Sequence, residues 1–179
     1  MDRQLIECVP NISEGRNKDV IDEIITEIKT SQGVTLLDVD PGKATNRTVI
    51  TFVGDPESVI EAAFKLIKKS IQLIDMTEHQ GEHPRMGATD VCPLIPVSGI
   101  TMKETIAYSK KLAKRVGDEL NIPIYLYEAS SKKEHRTNLA DIRRGEYEGL
   151  KEKLKKEKWK PDYGTTNFEK VKTMGSTAI

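Results

Sequence analysis

Two of the chain's three histidines fall in one short stretch, His79-Gln80-Gly81-Glu82-His83-Pro84-Arg85-Met86-Gly87, beside a carboxylate and a guanidinium. Gly81 and Pro84 punctuate it too closely for a helix or a central strand. It lies in a run from Asp75 to Asp90 that joins an amphipathic segment to a β-type segment. Irregular segments longer than roughly 12–15 residues are usually functional or disordered, and the density of groups that titrate, donate and accept favours function. Histidine titrates near neutral pH, which suits His83 to shuttle a proton. Asp40, or Glu82 beside it, would orient the ring and stabilise its imidazolium. Arg47 and Arg85 each carry the planar fork that grips a carboxylate. Asn11, Ser13 and Asn46 are short polar side chains suited to hold a heterocycle or an amide. Each also has an ordinary explanation: turn residues, surface ion pairs, a loop hydrogen bond.

Other chemistries fit less well. His79 and His83 have a spacing that serves zinc on one helix face, with Glu82 and Asp90 nearby, but Gly81 opposes that helix and no third ligand has compelling spacing. We expect no metal. A metal-dependent hydrolase using His79, Glu82 and His83 is the rival reading. No Gly-x-Ser-x-Gly elbow is present, and His135 sits in a charged loop that reads as surface. Cys8 and Cys92 lie in short apolar runs and read as small buried hydrophobes. Lys plus Arg equals Asp plus Glu, 28 against 28, so no bulk field draws nucleic acid or membrane. The sequence has no leader pattern or apolar run of membrane-spanning length, which reads as soluble and cytoplasmic.

The elements that must position these groups follow from periodicity. At 179 residues the chain suits one domain with a proper core. Leu5–Val9, Val34–Val39, Arg47–Val53, Val91–Val97 and Ile122–Tyr127 read as strands, the fourth irregular because of Pro93 and Pro96. Asp38 and Asp40 alternate with apolar residues, which puts both carboxylates on one face. Helices start at Asn17, at Asp55-Pro56, and at the capping box Thr101–Glu104, this last running to about Leu120. Leu139–Arg144 and Tyr147–Lys156 read as short helices. The lysine-rich run 151–160 reads as a solvated face, and the tail from Pro161 has little periodicity. The expected architecture is α/β (α+β): a mixed sheet of five to six strands with helices on one face. Its ferredoxin-like βαββαβ core is extended by a further helix and strand. In that topology loops 10–16, 40–46 and 75–90 open at one rim.

The motifs Glu7-Cys8-Val9-Pro10-Asn11-Ile12-Ser13-Glu14-Gly15, Leu36-Leu37-Asp38-Val39-Asp40, Thr45-Asn46-Arg47-Thr48-Val49 and Gly81-Glu82-His83-Pro84-Arg85-Met86-Gly87 resemble, in order, the glutamate formiminotransferase family. The likeness is to its N-terminal subdomain, the front part of formimidoyltransferase-cyclodeaminase, and continues through Trp159-Lys160-Pro161-Asp162-Tyr163-Gly164. The resemblance implies transfer of a formimino group from N-formimino-L-glutamate to tetrahydrofolate, a step of histidine breakdown. It implies a mixed sheet with helices outside and the other face meeting a second subdomain. It places the catalytic histidine on His83 and its aspartate on Asp40. Folate contacts fall on Gly164, Thr165, Thr166, Asn167, Phe168, Glu169, Lys170, Val171, Lys172 and Thr173. Residues 1–179 are then this subdomain, 1–160 a compact core and 161–179 a linker-like tail towards a second subdomain that the chain does not contain. The expected partner is that second subdomain or another copy, as a dimer. A folate-binding or assembly module of the same fold without transfer activity is the alternative.

Overall fold

The computed structural model describes residues 3–179. In chain order the elements are β1 (Leu5–Cys8), β2 (Asn11–Ile12), α1 (Lys18–Lys29), β3 (Val34–Gly42), β4 (Arg47–Gly54), α2 (Pro56–Leu73), β5 (Thr89–Val91), β6 (Leu94–Ser98), α3 (Met102–Leu120), β7 (Ile124–Tyr125), α4 (Leu139–Arg143), α5 (Leu150–Leu154) and β8 (Thr177–Ala178).

The three long helices start where side chains satisfy their first backbone N–H groups. Asn17 accepts from the amides of Asp19 and Val20, Asp55 from Ser58, and Thr101 and Glu104 close a reciprocal box. Their apolar stripes face one side of the sheet. Ile21, Ile24, Ile25 and Ile28 of α1, Phe64 and Ile67 of α2, and Leu112 and Val116 of α3 are buried there with Ile6, Cys8, Ile50 and Phe52. Cys8 and Cys92 sit in this core as free thiols. Both are fully buried and act as small hydrophobes, and burial pushes the Cys8 thiol well up.

β1 pairs antiparallel with β4 and with β6, and β3 pairs with β4. That is the ferredoxin-like core expected from the order of elements. Two of its strands are broken by proline. β2 resumes beyond Pro10 on the same partner, β4, with Asn11 opposite Val49. Pro93 likewise separates β5 from β6, because proline donates nothing to the ladder.

Among the described residues the sheet has eight strands rather than five or six, and the difference includes the C-terminal segment. Residues 161–179, expected as a linker-like tail, are woven into the fold. β8 lies between β5 and β7, parallel to both. Residues Gly175 to Ile179 are buried, and the amides of Cys92, Thr177 and Ile179 bond to Ala178, Pro123 and Tyr125 carbonyls. A two-residue strand buried on both faces has no alternation to betray it.

The second face of the sheet is largely open. Asp40 and Asn11 both stand opposite Val49, from either side of β4, so all three point to this face. Asp38, opposite Thr51, shares it. Ile95 and Val97 are exposed on β6, as is Leu37 in a bulge of β3. At the far end α4 covers this face, where Ile142 packs with Val91, Tyr125 and Ala178.

Candidate active-site rim

The three loops expected at one rim do converge there, and Asn46 is their clasp. Its backbone is left-handed (φ 48°), a conformation asparagine tolerates better than most residues. Its Oδ1 accepts from the Gly15 amide at 3.0 Å and its Nδ2 donates to the Gln80 carbonyl at 3.0 Å. Its own carbonyl takes His79 Nε2 at 2.9 Å. The Glu82 amide donates to the Ala44 carbonyl. Gly81 allows this approach, since a Cβ there would lie 2.8 Å from the Thr45 carbonyl carbon and 3.0 Å from Asn46 Cβ. Ser13 pins the far end of the loop, its hydroxyl donating to Gly87 at 2.8 Å.

Arg85 turns inward. Its Nε donates to His79 Nδ1 at 3.0 Å and its Nη2 to the His79 carbonyl at 3.0 Å. The guanidinium forks onto Glu148 with both contacts at 2.8 Å, and Glu146 lies at 3.2 Å. Arg85 thus holds the loop, with its donors taken by protein. Because Nδ1 of His79 accepts from an arginine that cannot lose its proton, the ring is the neutral Nε2–H tautomer, donating to Asn46. Burial is the main influence on His79, pulling its pKa below the ordinary value, and the Arg85 charge adds to it.

His83 is half-buried. Its Nδ1 sits 2.7 Å from the Pro84 carbonyl. A carbonyl only accepts, so Nδ1 carries the proton and Nε2 offers its lone pair. Asp40 is exposed on the open face, with no hydrogen bond or ion pair to His83. Glu82 is likewise exposed.

Arg47 lies on the open face two residues before Val49. Its Nε donates to Asn11 Oδ1 at 2.9 Å and its Nη1 to Asp90 Oδ2 at 2.6 Å. Asp90 is fully buried. Arg143 of α4 also donates to Asp90, from Nε at 3.1 Å and Nη2 at 2.6 Å, and the Met86 amide donates to Oδ1 at 2.9 Å. Burial pulls the Arg47 pKa down; Asp90 opposes this and Arg143 adds to it. Sequence reasoning missed Arg143 and weighed Asp90 only as a metal ligand. Neither carries a local signal, since their meeting depends on α4 crossing the sheet.

The segment 164–173 borders the same end of the molecule. Gly164 takes φ 83° against Ile122. Asn167 caps a 3-10 turn over Phe168–Lys170, with Phe168 6.1 Å from the Tyr147 ring and Val171 buried. The Thr173 carbonyl accepts from Met76, and Met174 and Gly175 pair with Gly87 and Ala88 of the histidine loop. Thr166, Asn167, Glu169, Lys170 and Lys172 are exposed. Among the described residues no three His, Cys, Asp or Glu side chains are grouped to hold a metal ion, and no helix is long and apolar enough to cross a membrane.

Several relatives align with nearly the whole of this sequence. It is 56% identical over 165 residues to a formimidoyltransferase-cyclodeaminase of Dictyostelium discoideum, covering 92% of this chain and 31% of the relative. The mouse protein of that name is 52% identical over 97% of this chain and 32% of its own length. A glutamate formimidoyltransferase of Streptococcus pyogenes serotype M1 is 50% identical over 98% of this chain and 58% of its own length. The chain thus spans between about a third and three-fifths of these relatives. Residues 5–179 match the formiminotransferase domain, N-terminal subdomain. The chain belongs to the formiminotransferase family, as its N-terminal subdomain.

Proposed function

We propose that this chain supplies the proton-transfer half of a site that moves a formimino group from N-formimino-L-glutamate to tetrahydrofolate. The observation that carries this reading is His83. It stands on a loop clamped at both ends, with its proton fixed on Nδ1 and its Nε2 lone pair free. The folate amine must lose a proton as its nitrogen attacks the formimino carbon, and Nε2 takes that proton. The new C–N bond then stays while the C–N bond to glutamate breaks, and the imidazolium returns the proton to the departing glutamate nitrogen. Asp40, exposed on the same sheet face as Asn11 and Arg47, suits an amidinium, the cationic form of the formimino group. In this arrangement the Pro84 carbonyl, rather than Asp40, orients the His83 ring. Ser13, Asn46, Glu82 and Arg85 hold the loop and its neighbours in place. Lys170 and Lys172 offer cations to the carboxylates of folate along 164–173.

Holding two substrates in attack geometry demands a second wall, since the face bearing Asp40 is open. A second subdomain against that face completes the cleft, and the relatives are long enough to contain one. Formimino transfer, measured for this chain alone and with a second subdomain added, tests the reading. Activity in the combined sample supports it. Tetrahydrofolate binding without transfer in the combined sample would instead favour an assembly role.

A further inference from the structure

We infer that Arg143, together with Arg47, forms the receptor for a glutamyl carboxylate on the open sheet face. The inference rests on the transfer reading above for the identity of its ligand and on geometry for the site itself. Asp90 is one buried negative charge, and two guanidinium groups converge on it. Arginine does not deprotonate in proteins, so the cluster carries one uncompensated positive charge. No other carboxylate pairs with either arginine among the described residues.

The donors point the same way. Arg47 spends Nε on Asn11 and Nη1 on Asp90, while Arg143 spends Nε and Nη2 on Asp90. Among the described residues, Nη2 of Arg47 and Nη1 of Arg143 are left without a protein partner. Neither is among the sealed, unpaired polar atoms of the described residues, which are Thr89 Oγ1, Arg136 Nε and Ser176 Oγ, so both reach the surface. Their side chains are 9% and 17% exposed, enough for an approaching anion and little enough to limit screening by water. A carboxylate placed there neutralises the cluster and takes charge-assisted hydrogen bonds from groups already held in position.

The receptor is also coupled to the chemistry. Asp90 accepts from the Met86 amide, three residues beyond His83, so the anion site and the proton-transfer loop share one frame. A substrate anchored by a glutamyl carboxylate at Arg143 presents the rest of its length along Asn11 and Asp40. Both N-formimino-L-glutamate and the tail of folate carry such a carboxylate. The separate lysines of 164–173 leave the arginine pair to the formimino donor.

The test is an NMR titration of the arginine Nε–Hε signals in the full chain. N-formyl-L-glutamate, glutaramide and tetrahydrofolate serve as separate probes. We expect N-formyl-L-glutamate to move the Arg47 and Arg143 signals, and glutaramide, which lacks the charge, to leave them. Arg143→Gln should weaken N-formyl-L-glutamate binding about tenfold, the scale of one lost charged hydrogen-bond pair. Arg143→Lys should recover part of it, and Arg47 still pairs with Asp90 in either variant. In the assembled enzyme Arg143→Gln should raise KM for the donor by a similar factor with kcat within about threefold, the pattern of lost ground-state binding. Equal shifts with glutaramide, or unchanged affinity in Arg143→Gln, would overturn the receptor. A response to tetrahydrofolate alone would overturn the assignment to the formimino donor. Carboxylate binding without transfer in the assembled enzyme would instead count against the transfer reading and leave the receptor standing.

Discussion

Gly81→Ala probes the clasp that places His83. The added Cβ would lie 2.8 Å from the Thr45 carbonyl carbon and press directly on its oxygen. Ordinary carbon–carbon contacts lie at ~3.5–4.0 Å, so the two loops must part by about 1 Å. Neither neighbour is the tip of a flexible side chain; both are backbone tied down by Asn46, His79 and Glu82. Overpacking of this kind costs about 1–3 kcal/mol, which a urea midpoint at constant m-value resolves. His83 is two residues away, and a displacement of ~1 Å in an active site costs roughly 100-fold in rate. The expected result is therefore a modest loss of stability with a much larger loss of formimino transfer in the assembled enzyme. A variant with wild-type midpoint and wild-type turnover would refute the claim that close contact of these loops positions the histidine.

Three further outcomes follow from the same contacts. His79 is neutral in the fold with its pKa lowered, so the unfolded chain binds more protons below the ordinary value of ~6.5. Its contribution to stability is present above that pH and is lost as pH falls through the lower folded value. Wild type should lose urea stability between pH 7.5 and 5.5 more steeply than His79→Gln, and parallel losses would contradict the assigned tautomer. Arg85→Met strips His79 and Glu148 of their partner. A buried ion pair broken on one side costs about 3–5 kcal/mol, but Glu148 is 65% exposed and can rehydrate, so about 2–3 kcal/mol is expected by urea titration. Deleting residues 177–179 removes β8 from between β5 and β7, and should lower the thermal midpoint sharply; an unchanged midpoint would restore the linker reading of the tail.

What was legible in the sequence was local. Asn17, Asp55-Pro56 and Thr101–Glu104 announce helix starts because a cap is written within four residues. The convergence of three loops at one rim followed from the order of elements alone, and the clasp at Asn46 bears it out. Directions of side chains were not legible. Arg47 and Arg85 share a type, yet one looks onto the open face and the other is turned inward by Glu148, a residue 63 positions away. Arg143 gave no signal because its meaning arises from Asp90, which only the packing of α4 over β5 supplies. β8 was hidden for the opposite reason: its stability comes from backbone bonds to two neighbours, and its two residues show no period.

The most direct measurement is formimino transfer by the chain with a second subdomain added, comparing wild type with His83→Ala. The expected loss is about 100- to 10,000-fold, the range for removing a general acid–base group, with N-formyl-L-glutamate binding and the urea midpoint retained. Transfer within threefold of wild type would contradict it.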